Sequence, residues 1–263
     1  MDGAYRPPAI RRLALGAVGS TNSIAMEAAR SGDPGPLWVT AERQTEGRGR
    51  RGRAWVSESG NLYASLILID PAPLEAIGQL PLVIAVGLRR ALASLPGLDP
   101  NLVQIKWPND ILIDGAKCVG ILIESERLPT QRQAVVVGMG INVATAPGDA
   151  PYGVATLEGA GMRLPLDAVF DAVAASIDRT LRQWDGGAGF KYIRQAWLDA
   201  CVGLGRPIRV NLPDRSIEGV FDALDAQGHL ILRHPSGKLE QISSGDVFLI
   251  GDDSAGAICD KAH

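Results

Sequence analysis

Apolar and polar positions change their spacing several times along the chain, and each change marks an element. Residues 12–18 read as a first strand. Ser20 or Thr21 can then cap a helix whose face carries Ile24, Ala25, Ala28 and Ala29 and which ends near Gly32. Leu37–Ala41 and Asn61–Ile69 suit strands. From Leu74 to Leu95 the residues Ile77, Leu80, Ile84, Leu88 and Leu92 recur at helical spacing, which predicts the longest helix. Strands are expected again at Leu102–Lys106, Asp110–Ile113 and Cys118–Glu124, with Asp114-Gly115 as a tight hairpin turn, and at Ala134–Val143. Two helices are expected at residues 166–184 and 188–199.

After about Gly203 the pattern shortens. Ile208–Leu212, Ser216–Leu224, Leu230–Arg233, Lys238–Ile242 and Val247–Ile250 are short apolar-rich runs separated by turns such as Pro213-Asp214 and Gln227-Gly228. Such spacing predicts a small β-barrel. The expected layout is a mixed α/β (α+β) domain over residues 1–203 and a small all-β domain with its tail over 204–263.

Hydrophobic residues make up 46% and charged residues 21% of the 263-residue chain, the balance of a soluble globular protein. A net charge of −3 argues against general affinity for nucleic acid or anionic membranes, so an anion site must come from local charge. No apolar run reaches the roughly 20 residues of a membrane helix. Arg11-Arg12 before a short apolar stretch imitates an export signal, but the helix start at Ser20-Thr21-Asn22 favours a strand. Cys118, Cys201 and Cys259 are odd in number and far apart, as suits reduced thiols of the cytoplasm. His229, His234 and His263 form no cluster suited to catalysis or zinc.

Local charge is concentrated at Gly47-Arg48-Gly49-Arg50-Arg51-Gly52-Arg53-Ala54-Trp55. Glycine lets a backbone approach an anion closely, arginine supplies a fork matched to phosphate or carboxylate, and tryptophan offers a flat face to a ring. The same run also suits a solvated basic loop or a local nucleic-acid contact. Lys106-Trp107-Pro108-Asn109-Asp110 is a second cluster, where lysine suits phosphate and aspartate suits Mg²⁺. Asn-Asp is equally a good turn. Lys117 heads a strand, a place often taken by a solvated edge charge, and Gly120 within that strand suits either a ligand approach or a bulge. Gly138-Met139-Gly140-Ile141-Asn142-Val143 lacks the third glycine of a dinucleotide fingerprint but can line a ligand site. Walker-type phosphate loops, nucleophile elbows and metalloprotease helices are absent from the sequence.

Taken in order, Ser20-Thr21-Asn22, Gln44, the arginine–glycine loop, the Lys-Trp-Pro-Asn-Asp corner, Lys117-x-x-Gly120-Ile121-Leu122 and Gly138-x-Gly140-Ile141-Asn142 resemble the biotin–protein ligase family over nearly the whole chain. The resemblance implies a catalytic fold like that of class II aminoacyl-tRNA synthetases and biotin/lipoate ligases, followed by an SH3-like barrel. It implies a biotin site of Ser20, Thr21, Asn22, Gln44, Arg48, Gly49, Arg50, Lys117, Gly120, Gly138 and Gly140. ATP would meet Arg50, Arg51, Arg53, Trp55, Lys106, Asn109 and Asn142, with Mg²⁺ at Asp110 and catalysis carried by Lys117, Arg48 and Arg50. The expected reaction is ATP-dependent formation of biotinyl-adenylate, then transfer to a lysine of a biotin carboxyl carrier protein domain, by a monomer or homodimer. Some members add an N-terminal DNA-binding domain, for which the strand at Arg12 leaves no room, so no DNA binding is expected. A lipoate–protein ligase, a biotin-sensing regulator and an RNA-binding module are the alternatives, and the chain lacks the Arg-Arg-x-x-Gly-Gly-Gly signature of lipoate enzymes.

Overall fold

The computed structural model describes residues 10–148 and 152–250. Cys259 and His263 lie outside them.

Seven strands form one sheet: β1 (Arg12–Val18), β2 (Leu37–Gln44), β3 (Leu62–Ile69), β4 (Val103–Lys106), β5 (Asp110–Ile113), β6 (Ala116–Arg127) and β7 (Gln133–Ile141). Their order is β1-β2-β3-β7-β6-β5-β4. β1 and β2 are parallel and joined through α1 (Thr21–Arg30); the other neighbours are antiparallel. β6 is longer than its partner β5, which pairs with it from Ala116 to Gly120 and then turns away.

Alternation along the central strands sends side chains to two cores, because successive residues of a strand face opposite ways. Val135 and Val137 join the larger core with Trp38 and Leu66, whereas Ala134, Val136, Leu37, Val39 and Ile67 pack with Ala25, Met26 and Ala29 of α1. The larger core lies under α3 (Leu80–Ala93), α4 (Leu166–Trp184) and α5 (Phe190–Ala200). Burial on both faces explains why β7 reads as a continuous apolar run.

The helix expected from Leu74 to Leu95 is two helices, α2 (Leu74–Ile77) and α3. Pro81 stands in the first turn of α3 and has no N–H to continue a ladder from α2, and Gly78 weakens the junction further. A second correction concerns the cap of α1. Ser20 holds the N-cap position with extended backbone but makes no side-chain cap bond. The adjacent Thr21 N–H is instead satisfied by Gln44 Oε1 at 2.9 Å. Asp114 and Gly115 have φ of 50° and 75°, as the predicted tight turn requires.

The last five strands, β8 (Pro207–Asn211), β9 (Ser216–Leu224), β10 (Leu230–Arg233), β11 (Leu239–Ile242) and β12 (Asp246–Leu249), form a separate antiparallel sheet ordered β11-β10-β9-β8-β12. Its small core of Ile208, Val210, Phe221, Leu230 and Leu232 merges with the larger one through Trp197, whose ring lies 6.3 Å from that of Phe221. β12 places Asp246 against the arginine–glycine loop.

Candidate active site

Two glycines of β7 organise the site. An added Cβ at Gly138 would lie 2.3 Å from Asn22 Oδ1, and one at Gly140 would lie 2.4 Å from Trp55 Nε1. Asn22 and Trp55 therefore rest directly on the sheet backbone, two residues or roughly 7 Å apart along the strand. Gly120, opposite Gly140 in the register, carries the other edge of the Trp55 ring, 2.7 Å from its would-be Cβ.

Around Asn22 lies a buried polar network. Thr21 donates from both its backbone N–H and its hydroxyl to Gln44 Oε1, at 2.9 and 3.0 Å. Gln44 Nε2 donates to Ser57 Oγ at 3.0 Å, and Ser57 donates to the Trp55 carbonyl at 2.9 Å. The Ser65 hydroxyl lies 2.8 Å from Thr21 Oγ1 and 2.6 Å from Asn22 Oδ1. Asn22 Nδ2 donates to Glu124 Oε2 at 2.7 Å. Ser20, Thr21, Asn22, Ser57 and Ser65 are all buried while Gln44 and Glu124 are half-buried, so the Ser65 bonds are the ones made away from water.

The arginine–glycine loop folds back on itself as a short hairpin, with Trp55 N–H on the Gly47 carbonyl at 2.9 Å and Gly49 N–H on the Arg53 carbonyl at 2.7 Å. Its arginines then diverge. Arg48 reaches Ser23 and pairs with both oxygens of Glu124. Arg50 donates to Asn109 Oδ1 at 3.0 Å and to the Gly245 carbonyl at 3.2 Å. Arg51 and Arg53 pair with Asp246 at 3.3 and 3.1 Å. Burial lowers the pKa of Arg50, opposed by Asp246 and Asp110.

At the corner between β4 and β5, Trp107 is buried and the Trp107–Pro108 bond is cis. Asn109 Nδ2 donates to the Ile121 carbonyl, and its Oδ1 takes the Arg50 fork. Lys117 Nζ pairs with Asp110 Oδ1 at 2.7 Å and lies 5.4 Å from the centre of the Trp55 ring and 5.6 Å from that of Tyr152. Lys106 Nζ sits 5.1 Å from the ring of Phe248 in β12. Burial pushes the Lys106 pKa down, against the pull of Asp110. Asn142 is buried, and its backbone N–H bonds the Cys118 carbonyl. The Cys118 thiol is pushed up to about 12 by burial, which leaves it no nucleophilic role.

Lys106, Lys117, Arg50, Asn109 and Asp110 thus gather at the Trp55 end, and Ser20, Thr21, Asn22, Gln44 and Arg48 at the other. Arg51 and Arg53 are turned onto the C-terminal sheet. Glu124, Ser57, Ser65 and Asp246 are site residues that pattern alone passes over: each is a single polar residue within a strand or turn, and what singles it out is a partner distant in sequence. Among the described residues no group of three or more His, Cys, Asp or Glu could hold a metal by itself. Mg²⁺ at Asp110 would therefore share phosphate oxygens and waters, the usual manner for that ion in nucleotide sites.

This arrangement can accept an acid in a hydrogen-bonding pocket and bring its carboxylate to a cationic cleft. Comparison with known proteins agrees. The model of the biotin/lipoate A/B protein ligase family matches residues 17–142, and that of the biotin protein ligase C terminal domain matches residues 203–250. The biotin–[acetyl-CoA-carboxylase] ligase of Paracoccus denitrificans is 38% identical, over 88% of this chain and 98% of its own. The bifunctional ligase/repressor BirA of Bacillus subtilis is 33% identical, over 88% of this chain and 71% of its own. The solved structure of the biotin protein ligase from Aquifex aeolicus in complex with biotin and ATP superposes with a TM-score of 0.76 at 29% identity, covering 91% of this chain and 98% of that one.

Proposed function

The chain belongs to the biotin protein ligase family, and from that premise we propose how its own residues divide the reaction. The enzyme is an ATP-dependent biotin–protein ligase that forms biotinyl-adenylate and passes biotin to the carrier domain of a carboxylase. One observation carries the assignment of roles: Asn22 and Trp55 lie side by side on Gly138 and Gly140, with Lys117 Nζ over the Trp55 ring, 5.4 Å from its centre. A ligand anchored at the Ser20–Asn22 end has its carboxylate directed towards Lys117.

In the first step a biotin carboxylate oxygen bonds to the α-phosphorus of ATP, and pyrophosphate leaves with the electrons of the broken P–O bond. Two anions must meet. Lys117, Lys106 and Arg50 lower that repulsion and stabilise charge building on the phosphoryl oxygens. They are held before substrate arrives: Lys117 by Asp110 and Arg50 by Asn109. Mg²⁺, held by Asp110 and phosphate oxygens, would supply further charge neutralisation. Trp55 offers a face to the nucleotide or to the ligand chain, and Asn142 and Asn109 line the same cleft.

In the second step the amine of the carrier lysine attacks the acyl carbon of the mixed anhydride. A C–N bond forms, the proton leaves nitrogen, and AMP departs with the C–O electrons. The anhydride must meet that amine before water, and the loop from Gly47 to Trp55 covers it, tied down through Arg48 and Arg50.

The catalytic unit is assigned to residues 1–203 and the barrel with its tail to 204–263, the barrel anchoring the loop through Asp246. Monomer and homodimer are both compatible with this reading. The loop arginines face Glu124, Asn109 and Asp246, not a shared basic surface, which speaks against RNA or operator binding. Cys118 and Cys201 are free thiols, as suits the cytoplasm. No described helix is long and apolar enough to cross a membrane.

The test is exchange of labelled pyrophosphate into ATP with biotin, lipoate or octanoate as the acid. Exchange that needs Mg²⁺ and prefers biotin supports the assignment. Equal exchange with lipoate removes it.

A further inference from the structure

Glu124 stands outside every motif, yet it receives both Asn22 and Arg48. A carboxylate accepts hydrogen bonds and donates none, so whatever faces Glu124 Oε2 at 2.7 Å must be the NH₂ of Asn22. The second Asn22 Nδ2 hydrogen points to the Leu122 carbonyl at 3.4 Å. Both Asn22 donors are therefore spent on the protein. Its Oδ1 must turn the other way, over Gly138 and towards Ser65, whose hydroxyl occupies one of its two lone pairs. At the opposite end of the network the Thr21 backbone N–H, which only donates, orients Gln44 in the same manner.

We propose that Glu124 is a specificity-determining positioning residue: by holding the Asn22 amide in one orientation it keeps an acceptor, not a donor, facing the pocket. Such a site rewards an acid that carries N–H groups at its head, as a cyclic urea does. It penalises one that cannot supply a proton, because a buried acceptor is then left unpaired. Arg48 Nη2, shared between the two Glu124 oxygens, holds the carboxylate in its turn and links the pocket wall to the first arginine of the hairpin. This inference rests on the biotin reading of the same site.

The experiment compares wild type, Glu124→Ala and Glu124→Gln in pyrophosphate exchange, with biotin and octanoate as separate acids and a melting curve for each protein. Without Glu124 the Asn22 amide is free to flip. Glu124→Ala should lower kcat/KM for biotin about tenfold more than that for octanoate, the worth of one buried hydrogen bond, because the loosened Arg48 costs both acids alike while the Asn22 acceptor serves only biotin. KM for ATP should not move. Glutamine still offers an oxygen to Asn22, so Glu124→Gln should fall between wild type and Glu124→Ala in its preference for biotin. A folded Glu124→Ala with unchanged preference overturns the proposal, and so does an equal loss with both acids, which marks a purely structural role. If Glu124→Ala fails to fold, the preference of Glu124→Gln decides: one no better than that for octanoate overturns the proposal. Wild type without biotin-dependent exchange would instead defeat the biotin reading itself.

Discussion

Lys117 Nζ lies 2.7 Å from Asp110 Oδ1, so the ammonium assigned to the reacting anions is already paired before they arrive. The pair is four-fifths buried on both sides, which fixes the lysine in place. It also means that an incoming phosphate must compete for Lys117, while Asp110 is freed to share a cation. Lys117→Ala should lower adenylate formation by about 10²–10³, the usual loss when a donor to developing charge is removed. The melting temperature should fall, because Asp110 is left four-fifths buried without its partner, but the variant should stay folded, since the side chain belongs to neither core. A folded variant with near-normal pyrophosphate exchange would return Lys117 to the role of an edge charge.

Lys106 sets an alkaline limit. Burial lowers its folded-state pKa below the ordinary 10.5, so the folded protein releases this proton at lower pH than the unfolded chain. Between those two values the unfolded chain binds more protons, and this group's contribution makes stability rise with pH there. Activity runs the other way, because the ammonium is the useful form. Adenylation should therefore decline at a pH below 10.5, and Lys106→Arg, which stays charged, should move that decline upward. A pH–rate profile identical in both proteins would exclude Lys106 as its source.

Gly140 tests the seat of Trp55. A methyl group there would lie 2.4 Å from the indole nitrogen, far inside contact distance, so Gly140→Ala must displace the ring. The variant should keep its secondary structure, show altered tryptophan emission and lose at least tenfold in kcat/KM for adenylation, about 1.4 kcal/mol. Unchanged emission together with full activity would mean that the ring has no fixed place in the reaction.

Asp246 holds the hairpin from the far side, taking Arg51 at 3.3 Å and Arg53 at 3.1 Å, with Arg50 at 3.7 Å. Single exposed ion pairs are worth little, but here one carboxylate serves three arginines of one loop. Asp246→Ala should leave adenylate formation within a few-fold of normal and speed its escape; Arg50→Gly, which cuts the tie to Asn109 and Gly245, should speed escape as well and also slow formation, because the same guanidinium is assigned to the reacting anions. Escaped adenylate acylates accessible lysines, so albumin added to the reaction should become biotinylated. Normal retention and unlabelled albumin in both variants would rule out a cage.

Much of this was legible in the residues. The strand at residues 12–18, the Asp114-Gly115 turn and the five short strands near the C-terminus stand where alternation and turn chemistry put them. The break before Leu80 was missed because Ile77 and Leu80 keep helical spacing across it, and spacing does not register the missing N–H of Pro81. The motif residues come together at one site, yet motifs say nothing of direction. Arg48 and Arg50 are two residues apart and point to different ends of the pocket, while Arg51 and Arg53 leave it for Asp246. Glu124 was invisible for a related reason: its importance lies in Asn22, 102 residues earlier in the chain.

The hairpin over the site is closed by a residue 193 to 196 positions further on, in the last of the described strands. Synthesis from the ribosome delivers the chain from its N-terminus, and domains fold as they emerge. The Ser20, Gln44 and Ser65 pocket is therefore in reach of its partners long before Asp246 has been made. During that interval a nascent chain has a place for its acid and no anchor for the cover. Tying β12 to the arginine hairpin means that the cover is anchored only once Asp246 has been made, so a product stopped before it is denied the means to hold a reactive anhydride.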